Sequence, residues 1–241
     1  MSEARRLLYL ERMGIDVWVP RGGTHTAAPE AVAPTAVASS AVPEPMERAD
    51  AVSDPGLDWP ALEARVASCQ DCKLCSGRSQ TVFGVGDRQS RLMVVGEAPG
   101  GEEDRQGEPF VGRAGQLLNA MLFAMGWPRE RVFIANILKC RPPNNRDPQP
   151  DEVAACEPYL QRQLELIRPQ LILAVGRIAA QNLLKTDTPI GKLRGVQHRY
   201  GPLQTPLVVT YHPAYLLRSP REKARAWEDL KLARSLLSAT G

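Results

Sequence analysis

The sequence is poor in aromatic residues: Trp, Tyr and Phe make up 5% of its 241 residues, and there are only three histidines. It has no run of about 18 apolar residues, which excludes an ordinary membrane-spanning helix. Its first fourteen residues, MSEARRLLYLERMG, interleave charges with leucines. The apolar core and cleavage site of a secretion signal are missing, so a cytoplasmic location is expected. Without a secretion signal, the five cysteines are expected in a reducing compartment, where a disulfide scaffold is not formed. Metal or cluster ligation becomes the reading to test.

What is present is enough for a core: 43% of the residues are hydrophobic, as in ordinary globular chains. The net charge of +3 is unevenly spread. Residues 1–57 carry five basic and eight acidic side chains, whereas the remainder carries 25 and 19. A mildly basic larger part permits a polyanionic partner without requiring one.

Composition divides the chain into three. Residues 1–23 hold a short amphipathic pattern with Leu7, Leu8, Leu10 and Met13, followed by the extended-looking IDVWVPR. Residues 24–56 contain nine alanines, five prolines and no aromatic residue, the composition of a disordered linker. Residues 58–241 have globular patterning. Asp58 caps a helix with Pro60 in its first turn. Four apolar runs, Leu92–Val95, Val132–Ala135, Leu171–Val175 and Leu207–Thr210, predict buried strands. Between and after them, helical spacing predicts helices over Gln116–Met125, Asp151–Ile167, Arg177–Leu184 and Glu222–Leu237. Strands alternating with helices imply a parallel α/β sheet covered on both faces.

Each predicted strand is followed by polar or glycine-rich residues: Gly96–Gly100, Asn136, Gly176-Arg177, and Tyr211-His212-Pro213. Parallel α/β sheets bind ligands beyond the carboxyl ends of their strands. Any one of these segments alone could be an ordinary turn; four in register predict one pocket. The cysteines form a second constellation. Cys69 and Cys72 make a C-x-x-C, with Cys75 three residues on and Cys140 and Cys156 far downstream. Four thiolates can hold a zinc ion or an iron–sulfur cluster, and spacing alone does not choose. Free buried cysteines would account for one or two of the five, but poorly for the tight C-x-x-C.

Five blocks, the C-x-x-C, TVFGVGDRQSRLMVVGEAPG, EEDRQGEPFVGRAGQLLNAML, ANILKCRPPNNRDPQPDEVAAC and HPAYLLR, together resemble the family-four uracil-DNA glycosylases. The resemblance covers about residues 60–240. It implies a three-layer α/β/α sandwich with a central four-stranded parallel sheet, and a [4Fe–4S] cluster on Cys69, Cys72, Cys140 and Cys156. Cys75 is not at a ligand position of that family. The implied activity is removal of uracil from DNA, leaving an abasic site, by a monomer associated with the nucleoid during repair. A protein partner is expected for the N-terminal segment.

The resemblance also implies roles. Glu97, Ala98 and Pro99 border the uracil, Phe110 stacks on it, Asn136 reads its edge, and His212 contacts O2. An amide fits uracil, whose O4 accepts and whose N3–H donates, and rejects cytosine, which reverses both groups. The attacking water is held by Glu97, by Glu103 or by backbone groups of the Gly96–Gly100 loop. For DNA, the HPAYLLR segment resembles a minor-groove wedge with Leu216, Leu217 and Arg218, and Lys192, Arg194, Arg141 and Arg146 are candidate phosphate contacts. Two alternatives share the fold: a protein that traps uracil-DNA covalently, and a non-catalytic DNA-binding protein. The segment Lys139–Arg146 contains no histidine and no insertion of the trapping type. Phe110, Asn136 and His212 together argue against a non-catalytic one. From the division of the chain, limited proteolysis is expected to cut within residues 24–56 and leave a core that still releases uracil. A folded core without that activity would place the N-terminal segment in the site.

Overall fold

The computed structural model describes residues 56–239; the expected amphipathic segment and all but the last residue of the Ala/Pro-rich stretch lie outside them. Among the described residues no helix is long and apolar enough to cross a membrane. Helix α1 (Trp59–Ser68) begins as expected, with the Asp58 carboxylate accepting the Ala61 N–H at 3.0 Å. Strand β1 (Val85–Gly86) is a two-residue edge. Then come β2 (Leu92–Gly96), α2 (Gly101–Gln106), α3 (Arg113–Ala124), β3 (Phe133–Asn136), α4 (Pro150–Ile167) and β4 (Leu171–Val175). The chain continues through α5 (Arg177–Leu184), α6 (Ile190–Leu193), β5 (Gln197–Tyr200), β6 (Thr205–Thr210), α7 (Pro213–Arg218) and α8 (Lys223–Ser238).

The sheet order is β1-β3-β2-β4-β6-β5. The four inner strands are parallel, and β1 and β5 pair antiparallel at the two edges. The expected four-stranded parallel sheet is therefore the centre of a six-stranded mixed one. The inner strands are almost wholly apolar because both faces are covered. Alternate residues serve opposite faces. Met93 and Val95 of β2 join Leu62, Val66, Leu160 and Leu164 on the α1/α4/α5 side. Leu92 and Val94 join Leu118, Met121, Leu230 and Ala233 on the α3/α7/α8 side. The layers are helix, sheet, helix.

From β2 the chain moves outward to β3, then returns past β2 to β4 on the opposite side. This reversal opens a crevice at the carboxyl ends of the inner strands. Beside it, α8 supplies a buried anchor. Asp229 is 0% exposed; its carboxylate accepts Arg194 Nε at 3.0 Å, Arg194 Nη2 at 2.9 Å and the Gly195 N–H at 3.1 Å. The Arg194 guanidinium also lies 5.0 Å from the centre of the Tyr211 ring. Removing one member of a buried pair strands the other charge. Asp229→Ala is thus expected to cost about 3–5 kcal/mol of stability, measured by urea unfolding. A loss below about 1 kcal/mol would mean that the pair is solvated like a surface ion pair.

Candidate active site

The crevice is a cleft of about 760 Å³ whose lining includes Glu97, Ala98, Pro99, Glu103, Phe110, Asn136, His212 and Arg218. Strand register brings its parts together: Gly96, the last residue of β2, pairs with Asn136, the last of β3. A Cβ at Gly96 would lie 2.4 Å from Asn136 Oδ1 and 2.6 Å from Phe110 Cζ. Asn136 is 2% exposed, and among the described residues its Oδ1 finds no hydrogen-bond donor. A buried acceptor left unpaired costs about 1–3 kcal/mol. It is an acceptor waiting for a donor.

Phe110 reaches the cleft through a left-handed backbone, φ +56°, which costs a non-glycine residue about 1–3 kcal/mol. Its ring lies 5.6 Å from that of His212, tilted by 31°. His212 caps α7: its Nδ1 accepts the Ala214 N–H at 3.1 Å. In the neutral ring the proton then sits on Nε2. Burial, with Arg218 nearby, pushes the imidazole down to about 4, although Glu103 pulls the other way. At neutral pH it is an uncharged donor. Gly176, at φ +100°, leaves room for it: a Cβ there would lie 3.0 Å from His212 Cβ.

The two candidate carboxylates differ. Glu103 is engaged by backbone: Oε2 accepts the Gly100 N–H at 3.1 Å, and Oε1 accepts those of Val111 and Gly112 at 3.1 and 3.4 Å. It ties the start of α2 to the Phe110 loop. Glu97 has no such partner among the described residues. Burial raises it to about 7, with Asp147 adding to the rise and Arg177 opposing it.

The expected DNA-contact residues divide. The HPAYLLR segment is helix α7 rather than a loop, which corrects the reading of Leu216. Successive helical residues point about 100° apart, so the two leucines cannot share one face. Leu216 is 1% exposed and packs in the core, whereas Tyr215 and Leu217 are 38% and 37% exposed. Arg194 is committed to Asp229, as described above. Arg146 lines the cleft, but its guanidinium pairs with the buried Glu152 carboxylate at 2.5 and 2.9 Å. Arg141 is held by Asn145 Oδ1 at 2.8 Å and lies beside Gly101. Lys192 is exposed, and Arg218 lies exposed at the cleft.

Arg177 was expected at the pocket from its strand end; Arg129, Gly115 and Tyr215 were not expected from the sequence. Arg177 lines the cleft and pairs with Asp147 at 2.5 Å. Arg129 holds the Phe110 loop, and Gly115 passes so close that a Cβ would lie 1.8 Å from Phe110 O. Tyr215 was legible in principle, from helical spacing after Pro213.

Four cysteines lie in or against the core on the α1/α4/α5 face of the sheet. Cys69 ends α1, Cys72 precedes the turn Lys73–Ser76, Cys140 follows β3, and Cys156 lies in α4. Arg78 Nη1 donates to Cys140 Sγ at 3.0 Å, and the Lys139 N–H donates to Cys156 Sγ at 3.2 Å. Burial pushes the Cys156 thiol up to about 12 and raises those of Cys72 and Cys140. Among the described residues, no three His, Cys, Asp or Glu side chains are grouped to hold a single metal ion.

Comparison with known proteins bears on this arrangement. Residues 83–231 match the sequence model of the "Uracil DNA glycosylase superfamily". A type-4 uracil-DNA glycosylase of Archaeoglobus fulgidus is 46% identical over 173 residues, 69% of this chain and 86% of that protein. Those of Saccharolobus solfataricus and Thermotoga maritima are 44% and 41% identical, over 76% and 75% of this chain and 87% and 95% of theirs. Part of a Bacillus phage SP01 DNA polymerase is also similar, 33% identical over 156 residues, 64% of this chain but 16% of that protein. The chain belongs to the uracil DNA glycosylase superfamily, among its type-4 uracil-DNA glycosylases.

Proposed function

We propose that this protein is a DNA-repair hydrolase that takes uracil out of the DNA stack and cleaves its N-glycosidic bond, releasing uracil and leaving an abasic site. The observation that carries the reading is the unpaired Asn136 Oδ1, buried in the cleft beside Phe110 and His212. Uracil N3–H is the donor that this oxygen lacks, and the same amide's N–H pairs with O4. Cytosine offers a bare N3 and an amino group there and leaves both unmatched. Phe110 supplies the face on which the flipped base stacks.

Bond cleavage builds negative charge on departing uracil and positive charge on the sugar. His212 Nε2–H is the donor for O2; it is neutral already, so it carries no competing charge before the bond breaks. Glu97, ionised above about pH 7, holds the attacking water and faces the developing sugar cation. Glu103 orders the surrounding loops through its three backbone N–H bonds. Leu217 is the exposed apolar wedge, while Tyr215, on the other side of α7, lines the cleft. Arg218, Lys192, Arg141 and Arg177 contact phosphate, while Arg146 and Arg194 brace the fold.

The thiols fit a [4Fe–4S] cluster. Cys140 and Cys156 lie in one core cluster, and Cys69 and Cys72 pack against it. Two of them already receive N–H donors of the kind that stabilise ligating thiolates. When bound, the cluster ties α1, the segment after β3 and α4 together as a structural cross-link.

Purified anaerobically, the protein is expected to carry about four irons per chain. Cys75→Ser should keep them, and Cys140→Ser or Cys156→Ser should lose them; stoichiometric zinc without iron would overturn the cluster.

Single-turnover cleavage of uracil oligonucleotides tests the site. Asn136→Asp should slow uracil excision, because a carboxylate only accepts and faces O4 unpaired; the contact is worth about 1–3 kcal/mol. His212→Ala should slow it by roughly 100- to 1,000-fold without changing base preference.

The rate of the unsubstituted protein should rise with pH through about 7 as Glu97 ionises. His212, neutral above about 4, adds no further limb in that range. Glu97→Gln should give a slower, flat profile between about pH 5.5 and 8.5; a retained limb would assign the titration to another group.

A further inference from the structure

Arg129 stands just before β3, outside the cleft lining, yet its guanidinium converges on the loop that carries Phe110. Nη2 donates to Pro109 O at 2.7 Å and to Glu108 Oε1 at 2.8 Å. Nη1 donates to Asn119 Oδ1 at 3.2 Å and to Phe110 O at 3.4 Å. The fork therefore takes acceptors from three successive loop residues and one helix α3 residue. The residue it encloses, Phe110, has a left-handed backbone without being glycine, φ +56°. The other side of Phe110 O is closed by Gly115, where a Cβ would lie 1.8 Å away. A strained conformation persists only where its surroundings over-determine it; here Glu103 holds the N–H groups that follow Phe110, and Arg129 and the bare Cα of Gly115 hold Phe110 and the residues before it.

We infer that Arg129 is a positioning residue for base stacking: it holds the 108–110 loop in the strained form that points the Phe110 ring into the cleft. This rests on the reading of Phe110 as the stacking residue. A lysine would keep the charge but lacks the planar fork, so it cannot reproduce contacts to acceptors lying in several directions. Arg129 is not among the residues that line the cleft; its effect on the site passes through Phe110.

A double-mutant cycle tests this. Single-turnover uracil release and affinity for abasic-site DNA are measured for Phe110→Ala, Arg129→Ala, Arg129→Lys and the Phe110→Ala/Arg129→Ala double variant, with thermal midpoints for each. Misplacing a reacting group by about 1 Å costs on the order of 100-fold. Arg129→Ala and Arg129→Lys are accordingly expected to slow uracil release by roughly 10- to 100-fold. Affinity for abasic DNA, which has no base to stack, should stay unchanged. In the Phe110→Ala background, losing Arg129 should add nothing. If Phe110→Ala is slow but Arg129→Ala runs at the unsubstituted rate, or adds its full factor to Phe110→Ala, the positioning role is overturned while the stacking role stands. If Phe110→Ala itself runs at the unsubstituted rate, stacking fails and the inference fails with it. Should Arg129→Ala not fold, Arg129→Lys takes its place, and an unsubstituted rate there overturns the proposal.

Discussion

The site depends on a position where nothing can be added. At the end of β2, the space that a side chain at residue 96 would fill is already taken by Asn136 Oδ1 and the tip of the Phe110 ring. Parallel pairing of β2 with β3 fixes the first of these neighbours, and the strained loop before α3 delivers the second. A hydrogen-bonding edge and an aromatic face thus meet within one van der Waals contact of a backbone that makes room for both. Even an alanine at 96 would force the amide and the ring apart. Local geometry and strand register are satisfied there at the expense of an unpaired acceptor and a left-handed phenylalanine. Both costs fall inside the cleft, where bound uracil would recover the first.

Burial acts on Glu97 and His212, both in the cleft lining, in opposite directions. It lowers His212 and raises Glu97 for the same reason, since each loses water around its charged form. The histidine becomes a neutral donor with a defined tautomer, because Ala214 N–H occupies Nδ1. The carboxylate stays poised near neutrality. Around them, arginines are divided between chemistry and construction. Arg146 and Arg194 meet fully buried carboxylates, Glu152 and Asp229, whereas Arg218 is left at the rim. Their difference lies in what the fold brings beside them, not in the residue type.

Much of this was legible in the residues. The four inner strands read clearly because burial on both faces demands continuous apolar runs, and the four strand ends carried the polar residues that line the cleft. The edge strands did not read: β1 has two residues, and Gln197–Tyr200 alternates exposed with half-buried positions and has no apolar run. The partners of Arg194 and Arg129 could not be read either. Asp229 is 35 residues from Arg194, and the loop held by Arg129 lies about 20 residues upstream. Such pairings arise only from tertiary packing. Leu216 was different, since helical spacing after Pro213 already separates it from Leu217.

That separation has a mechanical consequence. Leu216 is sealed into the core by the same short helix that presents Tyr215 and Leu217 outward. The two exposed side chains therefore cannot retreat unless a core residue comes out with them. If Leu217 meets a duplex as proposed, it would act as a rigid tooth rather than a spring. The deformation needed to seat it would then come from the softer body, the nucleic acid, and be least where base steps are already weakly stacked.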